Sequence, residues 1–183
     1  MSSYTNDKRV FALDVRPRSF GYVVFEGPDR LLDWGVRSFR KGVNSVRVPL
    51  ATKIAALLEE FHPAIVVTKE APSRKKVNRA KSRRVLEVIR HKASIVGIKP
   101  RVFSRRVVRN PFGGEERLTR YRIATALAER FSELAPILPP KRKCYQSEDY
   151  RMSIFDAAAL GVAYFARCAK HTSKEAPVPQ EPS

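Results

Sequence analysis

Asp14, Glu70 and Asp156 are the residues of this chain whose types and positions could do chemistry. Asp14 closes the apolar run Val10-Phe11-Ala12-Leu13, Glu70 closes the run that starts Ile65-Val66-Val67, and Asp156 opens an Ala-rich apolar helix. An ionised carboxylate at a buried strand end or in a packed helix interface costs several kcal/mol unless a cation or a donor compensates it. Three such groups from three distant segments point to one shared cation. Oxygen donors with no His or Cys near them in sequence favour Mg2+ or Mn2+ over Zn2+, and with them phosphate chemistry. Each acid alone has a plainer reading. Asp14 could cap a turn, Glu70 could pair with Lys69, Arg74 or Lys75, and Asp156 could answer the positive end of its own helix.

The elements that must position these groups follow from periodicity. Val10–Asp14 and Gly21–Phe25 flank the turn-like Arg16-Pro17-Arg18-Ser19 and read as a hairpin, and Leu31–Phe39 alternates as a third antiparallel strand. Leu50, Ile54, Leu57, Leu58 and Phe61 then recur at three- and four-residue spacing, a helix that His62-Pro63 stops. Ala64–Thr68 is a short β-branched strand suited to a buried central place. A second helix over Val77–Val96 ends at Gly97, Pro100–Phe103 forms a fifth strand, and Leu118–Leu134 and Ser153–Lys170 are the remaining helices. The order βββ-α-β-α-β-α-α implies a mixed sheet with helices on its faces. Asp14 and Glu70 both fall at carboxyl ends of strands, where open sheets of this kind place their sites.

The chain has 183 residues, of which 43% are hydrophobic, enough for a single domain over residues 9–170. Residues 1–8 and the Lys-, Glu-, Pro-, Gln- and Ser-rich stretch 171–183 are expected to be disordered. Its 36 Lys and Arg against 18 Asp and Glu give a formal charge of +18, spread along the length, so nucleic acid is the natural partner. No long apolar span or signal peptide is read in the sequence, and the expected location is cytoplasmic and nucleoid-associated. Cys144 and Cys168 lack the spacing of a zinc site or a disulfide framework.

Lys76, Arg79, Arg83 and Arg90 lie three, four and seven residues apart, a cationic stripe on one face of the second helix. Unpaired like charges at that spacing destabilise a helix by a few tenths of a kcal/mol per pair, so a phosphate backbone is a better account of them than a solvated face. Arg101, Arg105, Arg106 and Arg109 follow the same logic, as contacts that position a backbone without reading bases.

Taken in order, Phe11-Ala12-Leu13-Asp14 with its loop and Gly21-Tyr22, Ile65–Glu70, Lys99–Phe103 and Ile154-Phe155-Asp156-Ala157-Ala158-Ala159-Leu160-Gly161 resemble the RuvC-type Holliday-junction resolvases of the RNase H-like superfamily. The resemblance implies an RNase H-like α/β fold with a five-stranded mixed sheet. It also implies a divalent-metal-dependent endonuclease of branched DNA, working as a homodimer on a two-fold junction. Asp14, Glu70 and Asp156 would hold two Mg2+ or Mn2+ ions, with Arg16, Arg18, Lys76, Arg79, Arg83, Arg105 and Arg106 on phosphates. The chain departs from the family twice: Arg16 stands where a Gly is usual, and Ser153 where the final helix commonly has a second acid. Asp149 or Glu148 upstream could supply a fourth carboxylate. Loss of metal loading would leave a DNA-binding protein that does not cut. Glu115-Glu116-Arg117-Leu118-Thr119 is also similar to a segment of the pre-16S rRNA nucleases, which keeps an RNA substrate in view.

Overall fold

The computed structural model describes residues 8–16, 19–38, 50–70, 76–95, 97–113 and 118–174. The expectations for Arg18, for the first seven residues, for residues 114–117 and for the tail from residue 175 lie outside the described residues. Within them the expected order holds. Strand β1 (Arg9–Val15) pairs antiparallel with β2 (Ser19–Glu26), which pairs antiparallel with β3 (Leu31–Ser38). Helix α1 (Leu50–Phe61) leads to β4 (Ile65–Lys69), parallel to β1, and α2 (Lys76–Ile95) leads to β5 (Lys99–Phe103), parallel to β4. The sheet runs β3-β2-β1-β4-β5, so β1 is central and β5 is an edge.

Alternation along β1 sets the two layers. Val10 and Ala12 join Val23, Phe25, Ile65 and Val67 under α5 (Met152–Lys174), while Phe11 and Leu13 join Tyr22, Val24 and Val66 against Ile54, Leu57 and Leu58 of α1 and Ile89 of α2. Both faces are covered, which is why β1 and β2 are buried almost throughout. By parity Asp14 belongs to the α5 face. By length and composition residues 152–170 could cross a membrane, contrary to the sequence expectation of no such span, yet 67% of that window is buried against the domain and α5 is its core helix.

Helix α5 reaches the sheet through two glycines. A Cβ on Gly21, which pairs with Asp14, would collide with the Ser153 backbone, and one on Gly161 would collide with the Phe25 ring. Gly21→Ala is therefore expected to cost about 1–3 kcal/mol by overpacking. A urea titration measures it, and an unchanged midpoint would show that α5 is not seated there.

Three elements differ from the sequence expectation. Helix α4 covers only Arg120–Arg130, not Leu118–Leu134. Thr119 caps it by accepting from the Arg122 N–H, and at its end Phe131 turns to extended geometry, φ −118° and ψ 101°, to bury its ring edge-on to Phe25, 5.9 Å between centroids. A 3-10 turn, Ser132–Ile137, follows. The short helix α3 (Arg105–Arg109) forms where a loop is expected, nucleated by the Ser104 hydroxyl accepting from the Val107 N–H. Helix α5 also continues past His171, the expected start of the tail, to Lys174.

A candidate acid centre

β1 carries Asp14 to the top of the α5 layer, and α5 brings Asp156 over the same spot. Their side chains are 10% and 16% exposed. Asp156 lies beyond the first turn of α5, so the helix dipole is not what answers its charge. Arginine does. Arg16 donates from Nε to Asp14 Oδ2 at 2.9 Å and from Nη2 to Asp156 Oδ2 at 3.1 Å, holding both acids with one guanidinium. Its Nη1 is 3.8 Å from Glu148 Oε2. Arg120, the first residue of α4, closes the cluster: Nε donates to Asp156 Oδ1 at 3.2 Å, Nη2 to Asp156 Oδ2, and Nη1 to Glu148 Oε1.

Lys69, last residue of β4, completes the centre. The parallel register pairs Leu13 with Thr68, so Lys69 is the next residue up beside Asp14. Burial pushes its ammonium below the ordinary lysine range; Asp14 pulls it back up, and Arg120, Arg105 and Arg16 press it further down. The unfolded chain thus binds this proton more firmly than the folded one. Between the lowered folded value and the ordinary 10.5, this group makes stability rise with pH.

Three carboxylates, Asp14, Glu148 and Asp156, therefore face two guanidiniums and one ammonium. Glu70 is not among them: it is exposed, its N–H donates to the Phe103 carbonyl at 3.0 Å, and its side chain lines a cleft at the β5 edge. Asp149 is tied to Arg151 by 2.8 and 3.1 Å hydrogen bonds, which hold its carboxyl below the usual range. Ser153 is fully buried and donates to the Tyr150 carbonyl at 2.7 Å. Packed on Gly21, position 153 has no room for a longer acid, and Glu148 takes the place beside Asp156. As placed, these donors do not fit a divalent cation. The Asp14 and Asp156 oxygens are engaged by guanidiniums, Glu70 stands apart, and no group of three or more His, Cys, Asp or Glu side chains among the described residues is arranged to hold a metal.

The expected phosphate contacts are scattered differently. Arg16 points into the acid centre. Arg105 and Arg106 are exposed at the start of α3, and Arg105 lies near enough to Lys69 to act on its charge. Arg83 is exposed and pairs with Glu87 at 3.1 Å. Lys76 and Arg79 lie on α2, their side chains outside the described residues. Sequence reasoning does not single out Arg120; its place just after the capping Thr119, on a helix packed against α5, is the signal that could find it.

No protein-family model and no curated protein sequence matches the chain. Among solved structures it is similar to Thermus thermophilus RuvC in complex with a Holliday junction substrate, at 16% identity and a TM-score of 0.64 over 88% of this chain and 96% of that one. It is also similar to the yeast mitochondrial Holliday junction resolvase Ydc2 (13%, TM-score 0.56, 94% and 86%). The fowlpox virus resolvase, solved with Holliday junction DNA, aligns as well (15%, 0.55, 86% and 99%). The chain has the RNase H-like fold of the RuvC-type resolvases.

Proposed function

We propose that this chain, with its resolvase fold, is an endonuclease of structured DNA, with four-way or other branched junctions as the leading substrate and Asp14, Asp156 and Glu148 as its acid centre. The observation that carries the reading is the convergence of Asp14 and Asp156 on a single guanidinium at the carboxyl end of β1. A partly buried ionic cluster is a poor way to stabilise a fold, because well-packed apolar residues of similar volume do as well or better. Lys69, beside Asp14, is the member of the cluster whose ammonium burial holds below the ordinary lysine range, and a buried titratable group perturbed next to a specific charge partner is a candidate for a working site. In such a centre the carboxylates accept the proton of an attacking water, while Arg16, Arg120 and Lys69 present positive charge to the phosphate.

DNA is favoured over RNA because two of the similar structures were solved with junction DNA, and the +18 charge supplies the general attraction to a polyanion. The two-fold symmetry of a junction supports a homodimer, and DNA as substrate supports a nucleoid-associated location. Divalent-metal dependence would require Arg16 and Arg120 to withdraw from the acids.

The same guanidiniums favour a second reading, in which the chain binds junctions without cutting them. A substrate panel decides: four-way junction, flap, single-stranded DNA and RNA, each with Mg2+, Mn2+ or EDTA. Cutting of the junction supports the nuclease. Binding without product under every condition supports the second reading.

A further inference from the structure

We infer that the edge of the sheet carries a second nucleic-acid site, a cleft between β5, α2 and the second half of α5 that holds an unpaired strand by its phosphates. The inference rests on the DNA reading and deepens it. Arg90 from α2, Arg101 from β5 and Arg167 from α5 line one cavity of about 690 Å³, together with Phe103, Tyr164 and Glu70. All three arginines are exposed, and none forms an ion pair with a described residue. Three cations from three elements around one hollow repel one another, and the one carboxylate in its lining, Glu70, leaves a net positive charge that a phosphate would share.

A plainer account exists for part of this. Charges and a proline on an edge strand block unwanted sheet extension, and Lys99, Pro100 and Arg101 on β5 answer to that description. It does not cover Arg90 and Arg167, which lie on helices on either side. The chemistry of the hollow, guanidiniums at the rim over apolar walls that include Phe103 and Tyr164, is that of a groove for a nucleotide phosphate with its sugar or base against the wall. Its volume is within the range of small-ligand cavities, about 300–1,000 Å³, and too small to admit a duplex.

The position of the cleft favours a strand over a free nucleotide. Lys69 and Glu70 are consecutive at the end of β4; Lys69 stands by Asp14, and Glu70 lines the cleft. A strand leaving the acid centre over that strand end therefore enters the cleft within a residue's length.

The test uses the full chain and fluorescence anisotropy, with labelled dT12, a four-way junction and AMP as competitor. Arg101→Gln with Arg167→Gln, neither in the acid centre, is expected to weaken dT12 binding at least tenfold. It should also make the plot of log affinity against log salt shallower by about 1.4, since each single-strand phosphate that an arginine ceases to neutralise lowers the slope by about 0.7. Junction binding should fall less, and the thermal midpoint should stay where it is. An unchanged dT12 affinity and salt slope overturns the cleft while the junction reading stands. So does AMP displacing dT12 at equal concentration, which would make the cleft a free-nucleotide site. A wild-type chain that binds neither junction nor dT12 removes the DNA reading and the cleft with it.

Discussion

Asp156→Asn is expected to lower the rate of junction cutting by roughly 10²–10⁴, the range in which a positioned acid–base group contributes, while leaving junction affinity equal or higher. The asparagine keeps the shape of the side chain and its place among Arg16 and Arg120, so α5 should still seat on the sheet. What disappears is one negative charge where a phosphate has to approach, and the two guanidiniums become freer to meet that phosphate. Asp14→Asn should behave alike, because Asp14 shares the Arg16 guanidinium with Asp156. Single-turnover cutting and anisotropy on the same junction check both halves. Cutting at the wild-type rate by either variant would remove the acid centre from the chemistry.

The second large effect concerns the arginines. Removing one partner from a buried ion pair strands the other, at about 3–5 kcal/mol when burial is complete; Arg16 and Arg120 are 25% and 38% exposed, so roughly 2–3 kcal/mol is the fitting scale for Arg16→Ala with Arg120→Ala. Lys69 is left as the cation beside Asp14. Added Mn2+ should then raise the thermal midpoint of the double variant well above its effect on the wild type, since the acids have lost the groups that engage them. A double variant as stable as the wild type would mean that the arginines do not neutralise this cluster. Equal Mn2+ shifts in both proteins would mean that they do not keep cations out.

How much of this is legible in the sequence differs element by element. The strand and helix order can be read because each segment has a clear period and the sheet is covered on both faces. The shortened α4 cannot be read in this way. Its end is fixed by Phe131 turning in to meet Phe25, more than a hundred residues away in sequence, and no local pattern encodes that contact. Within the centre, Asp14 and Asp156 are legible from their places at a strand end and on an apolar helix. Glu70 follows from the same logic, and here parity matters: side chains alternate across a strand, so one residue decides between the acid centre and the β5 cleft, and the β1–β4 register gives the inner place to Lys69. Arg16, expected on a phosphate, is found on two carboxylates. A guanidinium is drawn to either, and only proximity decides.

The order of elements, the excess of cations and two acids in desolvated places were determined by the sequence alone, because periodicity and burial cost are local properties of a chain. Which cation meets which acid was decided by the fold. Strand register, the Gly21–Ser153 approach that sets α5 on the sheet, and the cap that starts α4 at Arg120 bring Arg16, Arg120, Glu148 and Lys69 to Asp14 and Asp156 from positions up to 140 residues apart. Electrostatic partnership depends on distance in space, over a few ångströms, and separation along the chain carries no record of it.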